Sequence, residues 1–297
     1  MKQVIDEAFL SQVELFSLTI RDNVAGLFGG NHQSKKFGSS CEFADYRDYV
    51  EGDDITKIDW NLYGRFEKLY LKLYLDEKQM HTKIYLDAST SMSFYKKSDY
   101  ALRLVTTLAY LSVANMDKVS LYLIRGNQIE PVFEKVVGKE NFMYNIVKMN
   151  KIKFDGDSFI SEAINKSSVG YGDGKSIIIS DFLTENDYSE AIDFLRSKKR
   201  DVLCIQLLAD EEVNPGFRGK NLLYDSENYD SSFKKNITRD VLKAYNQALE
   251  YVKNKLFNYC SSREADYVFY PTKLPLRELF LNNLVQKGVI KWVFYIH

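Results

Sequence analysis

The chain has 297 residues, more than the roughly 100–200 of a common domain, which predicts one large domain or a domain with an attached extension. Forty Lys and Arg stand against 41 Asp and Glu, so a net charge of -1 provides no global field to draw nucleic acid or an anionic lipid surface. Cys41, Cys204 and Cys260 form no Cys-x-x-Cys pair, and His32, His81 and His297 lie in unrelated contexts, which argues against a disulfide framework, a zinc cluster and a histidine-based triad.

The opening MKQVIDEAFL has acidic residues and no apolar leader, and no run reaches about 18 apolar residues. A cytoplasmic protein with reduced thiols and no direct membrane insertion is expected. From Ile5 to about Phe28 apolar residues recur mostly at three and four, predicting an amphipathic helix. GGNHQSKKFGSS (29–40) is Gly/Ser/Lys-rich and predicts a loop; it lacks the GK[ST] triplet of a phosphate-binding loop. Residues 41–80 mix aromatic and charged side chains before the alternating strand LYLKLYL, as an ordered, partly polar segment would.

From Lys83 onward strands alternate with helices, the signature of βα units and a mainly parallel sheet. Strands are predicted at 83–87, 119–124, 176–181 and 202–208, with helices near 99–116, 140–150, 158–168 and 187–198. Residues 129–137 follow Gly126-Asn127 closely and predict an antiparallel edge strand, where Pro131 is tolerated. LLYDSE and residues 266–271 are further strand candidates. A helix is predicted from Thr238 to about Ser261, covering the core with Leu242, Tyr245, Leu249, Val252 and Leu256, and LPLRELFLNNLVQKG predicts another ending at Gly288.

In an open parallel sheet, ligands bind outside the carboxyl ends of the strands. Two of the central strands end in aspartate: Asp87, followed by Ala88-Ser89-Thr90-Ser91, and Asp181, preceded by Ser180. The loop of FDGDSFISEAI brings Ser158 to what reads as a helix start. Carboxylates and hydroxyls from three loops make an all-oxygen donor set, suited to a hard cation such as Mg²⁺ or Mn²⁺. In the Asp-x-Ser-x-Ser spacing, Asp87, Ser89 and Ser91 can face one centre while Ala88 and Thr90 turn away.

These residues resemble the metal-ion-dependent adhesion site of von Willebrand factor A domains. The resemblance implies Asp87, Ser89, Ser91, Ser158 and Asp181 as the metal set, with Ser158 where threonine is usual and Asp155 and Asp157 as neighbouring alternatives. EFADYRDYVEGDDITKIDWNLYGR (42–65), the strand after it and DASTS together resemble the domain of unknown function 58 family, A-domain-like proteins often encoded beside MoxR-type AAA+ ATPases. The resemblance covers roughly residues 10–285 and departs at Gly64, where alanine is usual. It implies an α/β, von Willebrand factor A-like (Rossmann-like), mainly parallel sheet flanked by helices, with an N-terminal helix and β extension. Residues 1–80 would form that extension packed on the core, and residues 81–297 the A-like domain with C-terminal helical and strand additions.

Simpler accounts exist for each feature. Ser89 or Ser91 would serve as an N-cap for the following helix without any metal. Between Arg47 and Arg65, the carboxylates Asp48, Asp53, Asp54 and Asp59 would pair with Arg47, Lys57 and Arg65 and order an irregular segment under Trp60. The competing reading makes Arg47, Asp53, Asp54, Asp59, Trp60 and Arg65 a partner-docking face.

Two functions follow. One is a non-catalytic, metal-dependent interaction module; in the family it resembles, its partner would be a MoxR-type AAA+ ATPase or that enzyme's target protein. The other is an Mg²⁺-dependent phosphatase-like hydrolase with Asp87 as nucleophile. Such enzymes place a second aspartate two positions on, where this chain has Ser89, and need a site lysine, for which no motif is visible.

Overall fold

The structure, a computed structural model, describes residues 3–27, 37–75, 79–167, 170–172, 174–183, 187–216, 219–224 and 232–285. Two compact units result, one of Met1–Ala25 with Met80–His297 and one of Gly26–Gln79.

The predicted N-terminal helix, α1 (Glu7–Leu27), begins in the larger unit rather than with the extension that the sequence groups it with. Ile5 just before it and Phe9 and Val13 on it recur at every fourth position and lie buried in the core, and Phe16 meets Phe280 edge to face with centroids 5.5 Å apart. Asn150 clamps the chain ahead of α1, accepting from the Ile5 amide and donating to its carbonyl, both at 3.0 Å.

In the smaller unit β1 (Phe37–Asp48) pairs antiparallel with the predicted Tyr-rich strand, β2 (Tyr70–Leu75); between them lies α2 (Trp60–Phe66). The sequence predicts a loop through residue 40, whereas a strand already runs from Phe37; the rest of that loop, 28–36, lies outside the described residues. Phe37 to Asp48 carries three aromatic residues, and pairing with β2 outweighs its local Gly/Ser content.

The larger unit is built on six strands: β3 (His81–Asp87), β4 (Lys118–Arg125), β5 (Gln128–Val136), β6 (Lys175–Ser180), β7 (Asp201–Leu208) and, after the separate hairpin of β8 (Gly219–Tyr224) and β9 (Ser232–Ile237), β10 (Asp266–Pro271). Their order is β10-β7-β6-β3-β4-β5, parallel throughout except for β5, which is the predicted antiparallel edge. This is the mainly parallel, helix-flanked α/β sheet that the sequence predicts. LLYDSE contributes only its start, to β8; residues 225–231 lie outside the described residues.

Helices cover both faces, so the strands read as near-continuous apolar runs. Ile84 and Leu86 pack with α1, α3 (Lys97–Ala114) and α4 (Lys139–Met149). Tyr85, between them, faces the opposite cluster, shared by α5 (Ile160–Asn165), α6 (Ser189–Ser197) and the C-terminal half of α8 (Arg239–Ser262), while the short α7 (Asp210–Val213) follows β7 and buries none of its residues. That cluster holds Cys204 and Cys260 as free buried thiols, far apart in sequence but in the same core. The predicted last helix exists as α9 (Leu276–Glu278) running into π-type turns over Leu279–Val285; its expected end at Gly288 lies outside the described residues. Gly174 opens β6 at φ +142°, where a Cβ would collide with the His81 carbonyl and the Arg200 guanidinium, so only glycine lets β6 start so close to β3.

Candidate metal centre

The strand order places β3 between β4, which follows it in the chain, and β6, which comes after the chain has crossed to the other side. The carboxyl ends of β3 and β6 therefore flank the topological switch point, where parallel sheets leave a crevice. Leu86 pairs with Ile179, so the next residues, Asp87 and Ser180, leave the sheet side by side on the face of Tyr85 and Ile178.

Asp87 is buried, and both its oxygens are engaged: Oδ1 accepts from the Ser89 amide at 2.9 Å and Oδ2 from the Ser180 hydroxyl at 2.6 Å. Burial, and then the charge of the neighbouring Asp181, hold the Asp87 carboxyl above its usual range, against the pull of those hydrogen bonds. Ser89 starts the 3-10 turn Thr90–Lys96, but its side chain makes no capping bond. Its Oγ instead stands 3.1 Å from Ser91 Oγ. The simple helix-cap account of Ser89 is therefore excluded by the geometry. Two oxygens at right angles on an ion with about 2.1 Å bonds stand about 3.0 Å apart, which the serine pair matches.

The third loop is stitched onto this one through backbone. Asp155 donates its amide to the Ala88 carbonyl at 2.8 Å, and Gly156, at φ +74°, accepts from the Thr90 amide at 2.9 Å and the Thr90 hydroxyl at 3.1 Å. Ser158 follows, bridged to Gly126 rather than opening a helix: α5 starts two residues later and is shorter than predicted. The Ser158 hydroxyl is buried with no hydrogen-bond partner. Asp155 is exposed and paired with Arg125, which leaves Ser158 as the stronger candidate of that loop.

Three groups outside the predicted metal set complete the cluster: Ser180, Lys97 and Glu212. Lys97, wholly buried, places Nζ 2.9 Å from Asp181 Oδ2 and 2.6 Å from Glu212 Oε1. Burial works against its charge, but Asp181 and Glu212 outweigh it and hold the ammonium above its usual pKa. Asp181 Oδ1 accepts from the Leu183 amide at 3.1 Å, and Glu212 Oε2 accepts from the Ala209 amide at 2.8 Å. Lys97 arrives against local preference. Tyr95 and Lys96 hold left-handed φ of 50° and 60°, at about 1–2 kcal/mol each, and the lysine then sits in the first turn of α3, the wrong end of the helix dipole for a cation. Only Ser180 had a sequence signal, lying one residue before Asp181 at a strand end.

Among the described residues no three His, Cys, Asp or Glu side chains are placed to hold a metal ion by themselves, so any ion here would depend on the serine hydroxyls. The donor set is two carboxylates and three serine hydroxyls, the orphaned Ser158 oxygen among them, and one ammonium is shared by Asp181 and the part-buried Glu212. Such an all-oxygen, net-anionic cluster fits a hard divalent cation.

The second set of predicted residues lies in the smaller unit. Arg47 pairs with Asp53 at 2.8 Å, and Asp53 also accepts from the Val50 amide at 2.9 Å. Asp54 caps the turn Ile55–Lys57 through the Thr56 amide at 3.0 Å. Asp59 caps α2 through the Asn61 amide at 2.9 Å and meets Lys72 at 3.2 Å and the Tyr46 hydroxyl at 3.1 Å. Local pairing thus orders the segment, although Asp54 and Asp59 find backbone and Lys72 rather than Lys57 and Arg65. Trp60 is not its core: the ring is 62% exposed and touches Tyr63 edge to face. As the first residue of α2, Trp60 points outward because Asp59, not the ring, is turned inward by the cap.

Over residues 45–253 the chain matches the family described as Protein of unknown function DUF58. The chain belongs to that family. The DUF58 match takes in the smaller unit's capped segment, both strand-end aspartates, Ser158 and Lys97, and leaves all of α1 and all of β10 outside. An uncharacterized protein of Mycobacterium tuberculosis is 21% identical over 232 residues, 75% of this chain and 72% of its own. Among solved structures, the SpRpn10 VWA domain is 12% identical with a TM-score of 0.37, covering 69% of this chain and 95% of its own. The mussel byssus thread matrix protein, in a structure with a zinc-occupied MIDAS motif, is 11% identical with a TM-score of 0.32, covering 43% of this chain and 36% of its own. Likenesses of that size say nothing of what this DUF58 chain binds.

Proposed function

We propose that this chain is a non-catalytic protein–protein interaction module whose switch-point cluster holds Mg²⁺ or Mn²⁺ and leaves a coordination position for an acidic side chain of a partner. The observation that carries this reading is the buried, unpartnered Ser158 hydroxyl beside a net-anionic all-oxygen cluster. Asp87, Ser89, Ser91 and Ser158 would hold the ion, with Asp181 behind them; the ion would supply a Lewis-acidic anchor for a carboxylate. His81, the histidine nearest in sequence, opens β3 while Asp87 closes it, so it stands at the far edge of the sheet from the cluster and is no general base for it. The partner in this reading is a MoxR-type AAA+ ATPase or its target protein, met in the cytoplasm, with this chain as adaptor. Among the described residues no helix is long and apolar enough to cross a membrane.

The phosphatase reading gains one element from the structure, since a lysine does reach the cluster. Lys97 is committed to Asp181 and Glu212, however, and Ser89 still stands where a general acid is required. Turnover of p-nitrophenyl phosphate with Mg²⁺ would revive it; none is expected. The interaction reading is tested by binding a purified MoxR-type ATPase to the chain in Mg²⁺ and in chelator. A complex that needs the ion and is lost in Asp87→Ala is expected. A complex indifferent to both would refute a metal-bridged contact.

A further inference from the structure

Lys97 is not among the residues that would hold the ion, yet it sits against them. It is a wholly buried ammonium, delivered by two left-handed residues into the positive end of α3, with one carboxylate from the cluster and one from α7 as its partners. Asp181 has both oxygens occupied, Oδ2 by this ammonium and Oδ1 by the Leu183 amide. A divalent cation near Asp87 would therefore find the charge of Asp181 already largely spent.

We propose that Lys97 is a specificity-determining residue for the cluster, a tethered cation that holds Asp181 in an outer position and thereby weakens and tunes the binding of a divalent ion. This rests on the proposed metal-binding function, and it adds a cause for partner dependence. With Asp181 neutralised by Lys97, a divalent ion held by Asp87 and serine hydroxyls keeps a net positive charge, which an incoming carboxylate satisfies. Glu212 shares the load: it takes part of the Lys97 charge away from Asp181, and its own position is fixed by the Ala209 amide and by Tyr245, whose hydroxyl donates to its carbonyl at 2.8 Å.

The full chain is tested by calorimetric titration of Mg²⁺, with circular dichroism confirming the fold of each variant. Lys97→Met should bind Mg²⁺ at least tenfold more tightly than the native chain, and Glu212→Gln, which leaves the ammonium wholly on Asp181, at least threefold more weakly. Asp181→Asn should cost little alone but tenfold or more in the Lys97→Met background, where the freed carboxylate becomes a ligand. A residue needed only for folding would not move affinity in opposite directions. Folded Lys97→Met with native or weaker affinity overturns the proposal; if that variant does not fold, unchanged affinity in Glu212→Gln does so. Binding by Lys97→Met but not by the native chain would support Lys97 as the tethered cation while refuting a native metal site. Saturable binding by no folded variant overturns both.

Discussion

A hydroxyl buried without a partner costs about 1–3 kcal/mol, and Ser158 carries that cost beside the loop of Ser89 and Ser91. Without divalent ion, Ser158→Ala should leave the chain as stable as before or more stable by up to about 2 kcal/mol. With saturating Mg²⁺ the same variant should gain less than the native chain, and thermal melts in ion and in chelator read both. An equal gain in the two proteins would remove Ser158 from the ion's surroundings. Trp60→Ala is expected to change stability by no more than about 0.5 kcal/mol, as exposed substitutions do, where a core tryptophan would cost about 3–5. A loss in the larger range on chemical denaturation would return the ring to the core. Asp87, Ser89, Ser91 and Asp181 were legible because a strand end, a hydroxyl spacing and a sheet rule converge on them. Lys97 was not, because its contacts with Asp181 and Glu212 span 84 and 115 residues and no local pattern marks the turn that buries it.

The strands of the central sheet were legible at the scale of elements, since apolar runs of that length between helices have few alternatives. What escaped was set by partners remote in sequence. β1 starts within a stretch read as a loop because β2 offers it a ladder, and α5 is short because Ser158 is bound to the Gly126 turn. About two-thirds of α8 is exposed, so its apolar spacing overstated its role as core cover; Leu249, Leu256 and Cys260 are its buried residues. The turn from α3 into β4 gives a pH test. Burial pushes the Asp117 carboxyl up to about 6, although it accepts the Met80 amide at 2.9 Å. The folded chain keeps this proton where the unfolded chain has lost it, so the stability it contributes is complete below about pH 4 and lost as pH rises through about 6. Discounted for solvent screening of the carboxyl, that loss is about 1–2 kcal/mol, and Asp117→Asn, which retains the acceptor, should recover much of it at pH 7.5 and little at pH 4. Urea unfolding at both pH values checks this; an equal effect at each would refute it.

For the whole molecule, the near-zero net charge suggested neither nucleic acid nor an anionic surface as partner, and the family signature of the smaller unit turned out to be a set of caps and pairs around exposed aromatics. Fold class and family were readable because a long, specific stretch and a regular strand–helix alternation agree. Function was less so, since a cluster assembled from three loops shows its charge balance only once Lys97 and Glu212 are in place. The central claim is that the switch-point cluster is a divalent cation site. Calorimetric titration of Mg²⁺ and Mn²⁺ into metal-stripped chain, native beside Asp87→Ala, tests it most directly. Saturable binding in the native chain and none in the folded variant is the predicted result, accompanied by about 2.7 kcal/mol of stabilisation at an ion concentration 100-fold above the dissociation constant. Equal affinity in the folded variant, or no saturable binding in the native chain, would contradict it.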